Sequence, residues 1–471
     1  MNYSDLREYI KGAEALGELK LIEGADWDLE VGTITELMAK ADTPLLLFDK
    51  IKGYPPGYRI VTNLAASKKR VSLFLGLPEA EKPIDLVKAW RERSKGGFKP
   101  IPPVQVKMGP VMENVHTGKD IDLFEFPTPR WHEDDGGRYI GTGDVVVTKD
   151  PDEGWVNVGT YRIQIHDRNT ATIWTDEGHH GDVIKKKYWA KGKACPVIVG
   201  LGQDPIIQLV AIQRVPWGIS EYDYAGWIRQ RPIEVISGPV TGLPMPASAE
   251  IVLEGEIVPP EVETRVEGPF GEFTGYYGRP AGPVAAFRVK AVYHRNNPIL
   301  QGNPPYKWEP LYWSGRDILK ASMIWDEVSR RVPGIKGVWI VEEGLLWILV
   351  ISVEQEYVGH AKEAAIAARS AHFLFKFVIV VDEDIDPSNM AEVLWAMATR
   401  CDPEVDIDVV RGLHGILLDP VISPEKRKRE EIDVSCAIIN ACKPFHWKKD
   451  FPKTVGSSAE LIARVKQKFG L

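Results

Sequence analysis

The chain has 471 residues, too many for one ordinary domain, and its 44% hydrophobic and 26% charged residues are those of a globular protein. A net charge of −8 argues against a general nucleic-acid binder, and the one basic run, Lys426 to Arg429, is answered at once by Glu430 and Glu431. Apolar runs have strand length rather than membrane-span length, the N-terminus lacks the apolar core of a signal peptide, and Cys195, Cys401, Cys436 and Cys442 form no CxxC pair. These features predict a cytoplasmic protein with reduced thiols and no membrane span.

Along residues 1–111, helical and strand patterns alternate. A helix is expected from Ser4 to Leu16, with Ser4 as N-cap and Gly17 as terminator, followed by strands at Leu45 to Phe48 and Arg59 to Thr62. The Pro-rich stretch Lys99 to Val104 marks a boundary. Residues 112–313 then read as many short strands with few helices: Gly143 to Thr148, Trp155 to His166, Pro196 to Leu201, Ile206 to Ile212, Ala249 to Glu256 and Val284 to Tyr293. Such a run predicts a barrel-like or sandwich domain. Residues 314–332 read as one amphipathic linker helix, stopped by Pro333 and Gly334, and residues 333–445 return to strand–helix alternation, α/β order. The segment 446–471 carries a tail helix that would pack on a neighbouring subunit or cover its own core.

Chemistry concentrates in a few stretches. Glu267-Gly-Pro-Phe-Gly-Glu272 sets two carboxylates across a break that can turn both into one cavity, where two acids push each other's pKa apart. The alternative is a surface turn with two solvated glutamates. In Trp155-Val-Asn157-Val-Gly-Thr160-Tyr161-Arg162, strand alternation sets Asn157 and Tyr161 on one face and Thr160 off it; Arg162 is either a rim ion pair or a carboxylate fork. Thr175 to Gly181 contains His179 and His180, of which at most one can orient toward a metal, and Ser220 to Trp227 contains Glu221. An Asn, a His and a Glu from separate loops suit Mg²⁺ or Mn²⁺. Lys376 precedes an apolar strand that ends in an acidic cluster; it either reaches a phosphate or opens the strand in solvent. Of 15 tryptophans, Trp155, Trp174, Trp217, Trp308 and Trp313 lie near these loops and suit a planar ligand.

EGPFGEFTGYYG, with SEYDYAGWIRQRPIEV and PASAEIVLEGEI before it and FKFVIVVDEDID and AEVLWAMATRCDP after it, resembles the UbiD family of reversible decarboxylases that use prenylated flavin mononucleotide (prenylated FMN). The resemblance runs from about residue 30 to about 445. It implies a three-part α/β (α+β) architecture: a central flavin-reductase-like split β-barrel, and N- and C-terminal α/β domains joined by a linker helix. It also implies Arg162, Glu267 and Glu272 as the catalytic network. Asn157, His180 and Glu221 would hold Mn²⁺ (or Mg²⁺) against the cofactor phosphate. K⁺ would sit on main-chain oxygens around Trp155 and Trp217 to Ser220 with Glu221, and Thr160, Tyr161, Arg162 and Lys376 would also line the cofactor.

The implied activity is reversible decarboxylation of an aromatic or α,β-unsaturated acid through a covalent substrate–cofactor adduct, CO₂ loss and protonation by Glu272. Anaerobic carboxylation of a polycyclic or phenolic substrate, and a non-catalytic flavin-binding subunit, are the other readings. A flavin prenyltransferase would supply the cofactor, a homodimer or homohexamer is the expected assembly, and the aromatic stretch Gly302 to Trp313 is expected to select the substrate.

Overall fold

The computed structural model describes residues 3–39, 43–307 and 314–470; Trp308 and Trp313, with the rest of 308–313 of the expected substrate-selecting stretch, lie outside the described residues. The first helix runs Leu6–Ala15 and buries Leu6, Tyr9, Ile10 and Ala13, the one-face spacing of an amphipathic helix. Its N-cap is Asp5, not Ser4: the Asp5 carboxylate accepts from the Glu8 amide, while the Ser4 amide and hydroxyl both bond the Glu8 carboxylate one step further out. A four-stranded sheet follows in the order Leu19–Glu23, Leu45–Asp49, Arg59–Thr62 and Ile299–Gln301. Its last strand comes from far along the chain, so the N-terminal sheet is completed by the segment that leaves the middle of the protein.

That middle is a curled ten-stranded sheet whose ladders are all antiparallel. Its path runs Arg138–Gly141, Ile163–Ile165, Thr170–Ile173, Gly282–His294, Ile251–Ile257, Cys195–Leu201, Asp144–Lys149, Val156–Gly159. Thr264–Glu267 and Asn114–Thr117 pair along the two ends of the long strand Gly282–His294. A bulge at Glu254/Gly255 bends the sheet, and a Cβ on Gly255 would lie 2.0 Å from the Arg288 carbonyl oxygen, so only glycine fits.

Two sequence expectations change here. Ile206 to Ile212 is not a strand but part of the helix Pro205–Ala211, capped by the Asp204 carboxylate on the Ile206 amide with proline in the first turn. A buried apolar run has no periodicity to tell strand from helix, and the Asp-Pro start decides it. The middle is also richer in helices than expected, since His180–Ala190 and Glu221–Arg229 pack on the strand Val156–Gly159.

The linker helix Ser314–Ser329 buries Ile318, Ala321, Ile324, Trp325 and Val328, and Asp326 takes two hydrogen bonds from Arg91 of the helix Pro83–Arg93. Beyond it lies a five-stranded mixed sheet in the order Ile335–Ile340, Ile348–Val353, Phe377–Asp382, Asp433–Ala441, Ile407–His414. The tail helix Ala459–Phe469 has no buried residue, so it does not cover the core of its own chain. The four cysteines are free, and no described helix is long and apolar enough to cross a membrane.

Candidate active site

Arg162 sits between the strands Val156–Gly159 and Ile163–Ile165, so the predicted single strand from Trp155 to His166 is broken there. The break frees the arginine side chain to reach across to the segment that follows the strand Thr264–Glu267. Its Nε and Nη2 donate to the two oxygens of Glu267 at 2.8 and 2.9 Å, and its Nη1 donates to Glu272 Oε1 at 2.8 Å. The turn Gly268–Phe270 therefore returns both carboxylates to one guanidinium. The bidentate fork on Glu267 fixes the plane of Arg162.

The three side chains are removed from water, with Glu267 1%, Arg162 10% and Glu272 16% exposed. Burial works against the charge of Arg162, but the Glu267 hydrogen bonds together with the charges of Glu267 and Glu272 outweigh it and hold the guanidinium above its ordinary value. Burial pushes the Glu272 carboxyl up to about 7, with Arg162 pulling it back and Asp176 adding to the rise. One acid is thus locked as the arginine's partner, and the other is poised between its two protonation states near neutral pH. The guanidinium lies over Trp174 and Phe270, 5.1 and 5.8 Å from the ring centroids.

The supporting residues were not singled out in the sequence. Tyr139 Oη lies 3.3 Å from Glu267 Oε1, and Gln164 Oε1 accepts from the Gly268 amide at 3.0 Å. Gln164 shares the strand register of Arg162 two residues on, which was the available hint; Tyr139 had none. Gly268 has φ +87°, and a Cβ on Gly136 would lie 1.8 Å from the Gly268 carbonyl oxygen, so the loop presses directly on backbone. At its far end the loop meets the C-terminal part: Phe273 lies against Trp347, 6.3 Å between centroids, and Arg427 Nη1 donates to the Gly278 carbonyl at 3.3 Å.

A second cluster forms around the strand Val156–Gly159. Asn157 is buried beside Tyr161, and the Val158 amide donates to Glu221 Oε2 at 2.6 Å. Glu221 opens its helix behind Ser220, whose hydroxyl caps the Tyr222 amide, and His180 opens the other helix. Two helix N-termini meeting at one strand suit an anion. His180 is turned in against Trp155 and Trp217, at 5.5 and 5.2 Å between ring centroids, whereas His179 is exposed. Burial, reinforced by His179, lowers the His180 pKa and favours the neutral imidazole that a metal needs. Burial pushes the Glu221 carboxyl up to about 8, and no lysine or arginine pairs with it among the described residues. Trp155 Nε1 is buried there without a hydrogen-bond partner.

Tyr161 packs directly on glycine backbone: a Cβ on Gly159 would come within 2.7 Å of its ring, and one on Gly181 within 2.8 Å of its hydroxyl. Thr160 is half-buried in the strand break. Asp144, missed by sequence reasoning, is fully buried with Oδ1 unpaired; its other oxygen lies 3.4 Å from the Tyr161 amide, and burial pushes its carboxyl up to about 8. Lys376 neither opens its strand in solvent nor stands free: its ammonium bonds Asp419 at 2.7 Å and lies over Trp347.

The comparisons with known proteins give an enzyme of the carboxy-lyase class. The chain belongs to the UbiD family. Residues 10–90, 103–307 and 316–441 match, in turn, the N-terminal, Rift-related and C-terminal domains of 3-octaprenyl-4-hydroxybenzoate carboxy-lyase. It is 32% identical to pyrrole-2-carboxylic acid decarboxylase of Pseudomonas aeruginosa over 447 residues, covering 90% of this chain and 88% of that one. Phenolic acid decarboxylase of Sedimentibacter hydroxybenzoicus is 34% identical over 445 residues, 90% of this chain and 89% of that one. Among solved structures, the UbiD-class enzyme HmfF from Pelotomaculum thermopropionicum in complex with FMN superposes with TM-score 0.85 at 28% identity, covering 98% of both chains.

Proposed function

We propose that the protein is a prenylated-FMN-dependent, reversible decarboxylase of an aromatic carboxylic acid, with Arg162, Glu267 and Glu272 at the reacting centre. The observation that carries the reading is the guanidinium shared between two buried carboxylates, one of them poised at about 7. The relatives named for pyrrole-2-carboxylic and phenolic acids support an aromatic substrate, and the HmfF complexes with FMN and prenylated FMN support the cofactor.

The donor set fits that cofactor with its ions. Asn157, His180 and Glu221 would hold Mn²⁺ or Mg²⁺ facing the phosphate, K⁺ would sit between Glu221 and the backbone near Trp155 and Trp217 to Ser220, and Thr160 and Tyr161 would line the same side. The buried, unpaired Glu221 carboxyl is the observation that asks for a cation. Lys376 is already matched by Asp419, so a role at the phosphate requires Asp419 to release it. When bound, the prenylated flavin supplies the electron sink that loss of CO₂ from an sp² carbon requires.

The protein's own residues do the rest. Arg162, fixed by Glu267, orients the substrate carboxylate. Burial lets Glu272 hold a proton near neutral pH, and Glu272 delivers it to the carbon that CO₂ leaves. The reverse direction takes a proton from that carbon with the same carboxylate. The intact triad weighs against a non-catalytic subunit. Co-expressed with a flavin prenyltransferase, the Glu272→Gln variant is expected to keep the flavin-type absorption spectrum yet lose turnover and product deuterium exchange in D₂O. An active variant overturns the assignment.

A further inference from the structure

We propose that His116, Glu125 and His294 form a binding site for one divalent transition-metal ion of the zinc type, separate from the catalytic residues. The three come from three elements: His116 from the strand Asn114–Thr117, Glu125 from the end of the short 3₁₀ turn Leu123–Glu125, and His294 from the end of the strand Gly282–His294. In the ladder between the two strands Asn114 faces His294. His116, two residues on from Asn114, therefore points to the same side of the sheet as His294. Their rings stand edge to face at 5.1 Å, and Glu125 closes the third side.

The atoms converge as ligands do. His116 Nδ1 lies 3.1 Å from Glu125 Oε2, His294 Nε2 lies 3.5 Å from Glu125 Oε1, and one ligand atom from each residue falls within 4.8 Å of the others. Bonds of about 2.0–2.1 Å from a tetrahedral zinc ion set its ligand atoms roughly 3.4 Å apart. A protonated histidine paired with this carboxylate would aim an N–H along the line to an oxygen. Neither nitrogen does: both are buried, and neither makes a hydrogen bond. His294 is 3% exposed, so its bare nitrogen is aimed into the cluster from the protein interior.

The residues behind the ligands complete the pattern. His294 Nδ1 lies 2.9 Å from the Arg295 carbonyl oxygen, to which only an N–H can bond, and this leaves Nε2 as the atom with the free lone pair. Tyr58 Oη donates to Glu125 Oε1 at 2.9 Å and orients the carboxylate. Such partners fix ring and carboxylate direction in metal sites. Phe126 and Tyr58 wall the His294 ring, at 5.4 and 6.4 Å between centroids. The side chains of His116 and Glu125 are 28% and 24% exposed, which leaves an entry path and a fourth position for water. Two histidines, one carboxylate and a water are a zinc set rather than a magnesium or calcium set. The ion would clamp the segment 114–125 onto the long strand of the central sheet.

The test uses the full-length protein exposed to zinc chloride, freed of loose metal and crystallised, with anomalous differences collected at the zinc edge. A peak enclosed by His116, Glu125 and His294 is expected; crystals with none at that position overturn the site. In solution, measured in the Glu221→Gln background so that the Asn157 cluster does not compete for the ion, zinc affinity is expected to fall by about 100-fold on adding His116→Ala. Equal zinc affinity in Glu221→Gln and in the double variant overturns the proposal without depending on turnover.

Discussion

Arg162 donates from three nitrogens to two carboxylates, and the consequences divide between the partners. Glu272 carries a value of about 7 against an ordinary 4.5, raised by burial. The proton-donating form therefore prevails below pH 7, and decarboxylation is expected to fall as pH rises through about 7, read as a descending limb in the pH–rate profile. The same sign holds for stability: the contribution of the neutral carboxyl is complete below the ordinary value and is lost as pH rises through about 7, so Glu272→Gln should remove that slope. Arg162 pulls the Glu272 value down, so Arg162→Gln is expected to move any residual limb to higher pH, along with a loss of roughly 10²-fold in kcat/KM from misplacement of the substrate. Steady-state pH profiles of both variants check the pair. An unmoved limb in Arg162→Gln would show that Glu272 is not the group being titrated.

Among the elements, the helix Pro205–Ala211 shows where sequence and structure part. Asp204 caps it and also forms a buried fork with Arg229, whose Nη1 in turn donates to the Tyr3 carbonyl oxygen at 2.8 Å. Asp204→Ala removes the carboxylate of that buried fork, and a loss of about 3–5 kcal/mol is expected in urea unfolding, far more than a lost cap alone. The fork joins positions 204, 229 and 3, and no local pattern announces a contact of such separation. Strands with clear punctuation, such as Cys195–Leu201, were legible because alternation and turn residues act locally. The turn after Glu267 was legible as a break in the chain, whereas the roles expected of Glu267, Glu272, Asn157, His180 and Glu221 came from the family resemblance and not from local pattern. Tyr139, Gln164 and Asp144 were not legible, since each matters only through what the fold sets beside it.

At the scale of the whole molecule, the loop from Glu267 to Gly278 is held from two sides. The central sheet carries Arg162, while Trp347 and Arg427 reach the loop from the C-terminal part, with Lys376 and Asp419 bracing them. The hydrogen bond from Arg427 Nη1 to the Gly278 carbonyl, 3.3 Å long, ties the loop to the C-terminal part. Removing it in Arg427→Ala touches neither Arg162 nor the Asn157 cluster, so cofactor binding should stay unchanged. Under the proposed function a loosened loop misplaces Glu272, so kcat/KM is expected to fall by about tenfold for one charged hydrogen bond. Single-turnover and steady-state rates on the cofactor-loaded variant check this. Unchanged rates would show that the contact does not position Glu272.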